Sequence, residues 1–131
     1  FLLLSPNGIW HCVWSLNQED GAFAHSASVD LIHWESQSYP LVFPEGNCLS
    51  PVLNYNTNSG IYQVLWKTDR PTAENYAVET KDFKLFSAAK KVSQVKHSKE
   101  QVRLADGIYP GTVHKVDWQT IEKLYIITLY Q

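Results

Sequence analysis

Methionine is absent from the 131 residues, and cysteine occurs twice, as Cys12 and Cys48. Two thiols make no disulfide framework and no metal-ligand pattern. His25, His33, His97 and His114 show no metal spacing either, so no metal and no other cofactor is expected. Charge of one sign is scarce: the formal net charge is −2. That gives no electrostatic case for nucleic acid or for an anionic membrane surface. Lys90, Lys91, Lys96 and Lys99 read as a solvated loop or edge strand. No run of eighteen apolar residues occurs, so no membrane-spanning helix is expected. Phe1 to Leu4 is too short for a signal-peptide core and has no basic flank. A first residue of Phe rather than Met is expected to reflect processing, trimming or excision. No Ser-His-Asp order, phosphate-binding Gly loop or Cys-His pairing stands out.

What the chain does have is aromatic residues, 13 % of the total, and a repeat. Gly60-Ile-Tyr-Gln-Val-Leu-Trp66 follows Gly8-Ile-Trp-His-Cys-Val-Trp14 at a distance of fifty-two residues. Thr80-Lys-Asp-Phe-Lys-Leu-Phe86 follows Ser28-Val-Asp-Leu-Ile-His-Trp34 at the same distance. Tyr76-Ala77 sits one residue off register from Phe23-Ala24, which predicts a loop changed in length by one. A fixed period near fifty, made of short strands, marks a repeated blade or array.

Each unit reads as four short strands. In the first they are Leu2–Leu4, Ile9–Ser15, Ala22–Ser26 and Trp34–Leu41; in the second Pro51–Tyr55, Ile61–Lys67, Tyr76–Glu79 and Phe86–Val92. Turns at 5–8, 28–31, 56–60 and 80–83 separate them, with Gly8 where positive φ is expected. Asp30 is expected to accept backbone N–H bonds in its turn. Beyond Ser93 the pattern loosens. His97–Gln101 is polar, Gly107–Gly111 is turn-rich, and Thr112–Val116 reads as a strand. Asp117 can cap a short helix from Trp118 to about Leu124, and Tyr125–Leu129 reads as a further strand. The fold class is therefore all-β: a partial β-propeller of two four-stranded blades, at 1–43 and 44–95, with an incomplete blade and short helix at 96–131.

That architecture sorts the polar residues by face. Asp30 and Asp82 lie in tight turns, and their recurrence is structural. Glu19, Asp20, Glu45, Asp69, Glu74 and Asp106 lie in loops of the opposite face. Glu45 and Asp106 precede inner strands and are the candidate catalytic carboxylates. Asn47 and Tyr109 share their loops, Asp20 lies on the same face, and His114 points along an inner-strand candidate. Trp14 and Trp66 end the second strand of each blade, where a ring packs between blades or stacks on a sugar. These six are the candidate substrate-binding residues.

His25-Ser-Ala-Ser-Val-Asp-Leu-Ile-His-Trp34 and Tyr76-Ala-Val-Glu-Thr-Lys-Asp-Phe83 resemble the Tyr-Ala-Ser-Ser-Lys-Asp-Leu-x-x-Trp segment of family 43 glycoside hydrolases. Leu4 to Trp14 resembles that family's first-blade hairpin. Asn47-Cys-Leu-Ser-Pro-Val-Leu53 resembles its Trp-Ala-Pro-Asp/Glu lead-in to the second blade, and Gly111–Trp118 matches a looser phrase of arabinosidase-like relatives. The resemblance covers roughly residues 2–92. It implies a five-bladed propeller and inverting hydrolysis of arabinose- or xylose-containing glycans. Such hydrolysis uses an acid and a base spaced to admit water. It also implies a carbohydrate partner and a secreted or periplasmic location. Three positions depart from the pattern. The base's Asp-Pro is not at the first strand, Val52 stands where a tuning carboxylate follows Pro51, and Tyr109-Pro-Gly111 carries no acid.

Two readings follow: part of a hydrolytic propeller, or a non-catalytic carbohydrate-binding or interaction module. Five blades at this period need about 260 residues. The expectation is that the chain belongs to a longer polypeptide or completes its core as a homo-oligomer.

Overall fold

The computed structural model describes residues 1–36, 41–42, 46–95 and 99–129. The described residues are mostly antiparallel β-structure with one helix. Strands β1 (Leu2–Leu4), β2 (Trp10–Ser15), β3 (Ala22–Ser28) and β4 (Leu41–Val42) form one sheet in that order. Strands β5 (Leu49–Asn56), β6 (Ile61–Thr68), β7 (Glu74–Thr80) and β8 (Lys90–Lys91) form a second, again in chain order. Gly8 (φ 83°) and Gly60 (φ 69°) close the first turn of each sheet, where a side chain would strain the backbone.

The ladders fix the repeat. Trp10 pairs with Ser28 and Trp14 with Ala24; Tyr62 pairs with Thr80 and Trp66 with Tyr76. The fifty-two-residue spacing therefore holds through both middle strands. This corrects the one-residue slip at Phe23-Ala24: Ala24, not Phe23, is the counterpart of Tyr76. The altered length lies one turn earlier, because Leu4 pairs with Trp10 but Tyr55 pairs with Tyr62. A one-residue slip would have turned every side chain of β7 to the other face.

The second turn is also the same structure twice. Ser28 Oγ accepts the N–H groups of Asp30 and Leu31, and Asp30 Oδ1 accepts those of Ile32 and His33. Thr80 Oγ1 accepts from Asp82 and Phe83, and Asp82 Oδ1 from Lys84 and Leu85. The arrangement holds Leu31 (φ 65°) and Phe83 (φ 57°) in left-handed backbone. A bond from the His33 ring, with the N–H groups of His33 and Ile32, holds the Asp30 carboxyl well below the usual carboxylate range.

The sheets pack through unlike faces. Alternation puts His11, Val13, Phe23 and His25 on one side of the first sheet. Val13 and Phe23 pack there against Leu53, Val64, Trp66, Tyr76 and Val78 of the second. The residues of the first sheet equivalent to Tyr62, Val64 and Trp66 are Trp10, Cys12 and Trp14, and they lie on its far side. Each sheet thus uses a different face at the shared layer. On the outer side of the second sheet, Val52, Leu65 and Ala77 pack with Val92 and Val95.

Three expected elements differ. The fourth strands are short among the described residues: Trp34 and Phe86 make single bridges to Ser28 and Thr80, and the described regular pairing is at Leu41–Val42 and Lys90–Lys91. The Ser26 hydroxyl donates to the Glu35 carbonyl, and the Ser87 hydroxyl accepts the Glu79 N–H; side chains occupy places that a continuous ladder would fill. The polar and turn-rich stretches after Ser93 form a hairpin of β9 (Glu100–Leu104) and β10 (Gly107–Gly111), while 112–117 is not a strand. Helix α1 runs Trp118–Leu129, taking in the residues read as a final strand. Asp117 Oδ1 accepts the Thr120 N–H at 2.8 Å. Once that first turn is capped, elongation is favourable, and no Gly or Pro interrupts 118–129.

Because the two turns are equivalent and Ser28 and Thr80 are both buried, their hydroxyls carry equivalent bonds. Ser28→Ala and Thr80→Val should each destabilise the fold by about 1–3 kcal/mol, the cost of buried N–H groups left unpaired. Urea midpoints measure both. Two unchanged midpoints would show the turns hold themselves without the hydroxyls.

Candidate functional site

Asn47 precedes β5 and is buried between two loops, 16–21 from β2 to β3 and 69–73 from β6 to β7. Its Nδ2 donates to the Gln18 carbonyl at 2.9 Å and to Asp69 Oδ1 at 2.6 Å. Its Oδ1 accepts the N–H groups of Asp69 (3.0 Å) and Arg70 (3.1 Å). Both amide donors and both acceptor positions are used. The neighbouring backbone follows suit: Asn47 N–H donates to Arg70 O, and Cys48 N–H to Asp20 O. Gly46 permits this closeness, since a Cβ there would lie 2.3 Å from the Arg70 carbonyl oxygen.

Around this latch the loop-bearing end is polar. Asn17 Oδ1 accepts from the N–H groups of Glu19 and Asp20, and Asn17 Nδ2 donates to Asp20 Oδ2 at 2.6 Å. Arg70 lies 3.8 Å from both Glu19 and Asp69. Asp20 and Asn47, two of the sequence candidates, therefore come together. Asp30 and Asp82 lie in the turns at the other ends of β3 and β7.

The remaining candidates are dispersed. Glu45 lies outside the described residues. Asp106 is in the two-residue turn of the β9–β10 hairpin, and Tyr109 is exposed on β10. Among the described residues no hydrogen bond or ion pair joins Asp106 to Asn47 or Asp20. Trp66 is 1 % exposed and packs on Tyr76 and Phe23, so neither ring face is open. Trp14, its equivalent, is 37 % exposed. It borders a groove of about 220 Å³ with Cys12, Ser26, Trp34 and Glu35. His114 Nε2 lies 3.0 Å from the Leu2 carbonyl oxygen, with its ring edge-on to Trp10 at 5.1 Å. It covers the free edge of β1. Val52 is buried against Leu65 and Ala77, so the position after Pro51 belongs to packing.

Two features escaped the sequence reading. One is Trp34 beside Trp14 on the same groove, because Trp34 lies past the turn that follows β3 and twenty residues from Trp14 in sequence. The other is His11, whose alternation with Val13 was the available signal that it faces inward. Burial pushes the Cys48 thiol up to about 12 and raises Cys12 as well, so neither thiol is a ready nucleophile. Among the described residues no three His, Cys, Asp or Glu side chains are grouped as metal ligands.

Comparison with protein-family models, with curated proteins and with solved structures returns no match.

The latch generates a prediction. Asn47→Ala removes partners from the N–H groups of Asp69 and Arg70 and should cost about 1–3 kcal/mol of stability. Amide hydrogen exchange at Asp69 and Arg70 should speed up while exchange in β6 stays protected. Unchanged exchange at both would show the loop is held by other contacts.

Proposed function

We propose that the two sheets are successive blades of a propeller resembling family 43 glycoside hydrolases, and that the chain acts as a carbohydrate-binding module. The observation that carries this reading is the packing of two equivalent sheets through unlike faces. One row of the second sheet is buried under the first, and the first presents the same row on its far side. Packing of this head-to-tail kind continues from unit to unit until it closes into a ring or runs on as a stack.

Binding is favoured over hydrolysis by the carboxylates. Inverting hydrolysis needs two acids facing each other across a water. Asp106 is at a hairpin tip, Asp20 is hydrogen-bonded within its own loop and Asp69 to Asn47, and Val52 is buried. An accessible indole beside the Ser26 hydroxyl and the Glu35 carboxylate is suited to a sugar, which offers C–H groups to the ring and hydroxyls to the polar groups. Trp14, at the end of β2 next to loop 16–21, supplies the ring.

Titration with arabino- and xylo-oligosaccharides, beside a reducing-sugar assay on arabinan and arabinoxylan, tests the reading. Binding without turnover is expected, and Trp14→Ala should weaken it by about 1–3 kcal/mol. Release of reducing ends by this chain would overturn the binding-only reading. The propeller also supplies another use for the Trp14 face: contact with a further sheet, from a longer polypeptide or a second copy. Light scattering separates the two uses. A Trp14→Ala variant that binds sugar normally but loses mass relative to wild type assigns the ring to sheet contact.

A further inference from the structure

Two imidazoles meet between the sheets, His11 buried and His25 half-buried. His11 of β2 and His25 of β3 lie on the same face of neighbouring strands, and His11 Nδ1 is 3.0 Å from His25 Nε2. Phe83 covers both rings, stacked on His25 at 3.8 Å with an interplanar angle of 3°, and on His11 at 4.8 Å. Tyr62 of β6 closes on His11 at 4.8 Å. The other nitrogen of His11, Nε2, is buried without a hydrogen-bond partner. His11 and His25 face the second sheet, and the side chains set against them there come from β6 and the β7–β8 turn. Of these, only the Tyr62 phenol is ionisable. Among the described residues the one histidine paired with a carboxylate is His33, with Asp30, on the surface.

One hydrogen bond between two ring nitrogens needs one donor and one acceptor. Two neutral rings provide that. Two protonated rings present donor to donor at 3.0 Å, with no anion beside them. Even one proton puts a charge between aromatic walls, where desolvation opposes it. The second sheet carries Gln63 and Ala77 at the positions equivalent to His11 and His25. Neither side chain takes up a proton.

We propose that the His11–His25 pair is an acid-sensitive latch: neutral imidazoles hold the two sheets together, and proton uptake by the pair separates them at the Phe83 and Tyr62 contact. The latch lies within this chain and does not depend on the carbohydrate reading.

The direction follows from linkage. Burial lowers both histidines from 6.5, and His25, which also feels His11, falls to about 4. The unfolded chain therefore binds more protons than the folded one as pH drops. The pair's stability is fully present above about 6.5 and is lost as pH falls toward about 4. For His25 alone the folding constant should fall on the order of a hundredfold from about pH 7 to about pH 4. The Asp30 and Asp82 carboxyls, both held below their ordinary value, lose their contribution only at lower pH, so the windows separate.

Urea denaturation of the full chain between about pH 7.5 and pH 4, read by tryptophan fluorescence, tests the latch. Wild type should show the hundredfold loss, restored on return to neutral pH, and His11→Gln/His25→Ala should not. Equal losses in both proteins overturn the proposal. Should the double variant fail to fold, NMR titration of the wild-type imidazole C2 protons decides. His25 staying unprotonated to below about pH 5, with His11 titrating below its ordinary value, supports it; both titrating near 6.5 overturns it.

Discussion

The layer between the two sheets is the constraint on which everything else rests. An apolar sheet face left in water forgoes the free energy its burial would supply. Here Val13 and Phe23 of one sheet meet Leu53, Val64, Trp66, Tyr76 and Val78 of the other. Burial of this kind, worth roughly 25 cal/mol per Å² of apolar surface, offsets the ordering of both meanders. The ladders, turns and loops are then placed relative to one another as consequences. The Asn47 latch, for example, can bridge loops from two sheets only because the layer beneath fixes their spacing.

That layer also explains what a reader of the sequence sees and misses. The repeated blocks were legible because backbone geometry demands them. Gly8 and Gly60 adopt positive φ, and Ser28-x-Asp30 and Thr80-x-Asp82 each satisfy four backbone N–H groups. These requirements are local, so they leave local signatures. The slip at Phe23 had a different origin. Matching Phe23 to Tyr76 pairs aromatic with aromatic, but the two sheets fill the shared layer from opposite faces. Phe23 points into the layer from one sheet; its true counterpart, Asn75, points away from it on the other. Chemical likeness therefore aligned residues that are not equivalent, and only the hydrogen-bonded register separates likeness from equivalence.

The tail was the least legible part for a related reason. The β9–β10 hairpin has no partner in the repeat, so periodicity offered nothing. The Asp106-Gly107 step marks the hairpin turn, but the turn-rich reading of Gly107–Gly111 hid the strand that follows it. The end of α1 is rich in isoleucine and tyrosine, residues at home in strands. The cap at Asp117 and the uninterrupted run after it outweighed that preference, as cooperative helix growth does. Of the candidate site, face assignment by topology put Asp20 and Asn47 together, whereas Asp106, chosen by its place in a loop, sits in a hairpin turn with no hydrogen bond or ion pair to either among the described residues, and Glu45 falls outside them. Topology says which end of a sheet a residue occupies. It does not say what that residue's side chain is already bonded to.

Asn47 makes this point physically. A buried amide that donates twice and accepts twice has no hydrogen-bonding capacity left for a ligand. Its role is to hold Asp69 and Arg70 in place. Trp66 and Trp14 divide in the same way. They are equivalent in backbone and register, yet one is sealed by the neighbouring sheet and the other borders an open groove. Position in the repeat therefore does not determine function here. What lies against the face determines it. Where a sheet lies against it the residue stabilises the fold, and where none does it becomes available to a partner. By that criterion His11 and His25 belong to the fold, with one difference from the apolar residues around them. Their fit to the layer depends on remaining neutral, so a packing contact responds to proton activity.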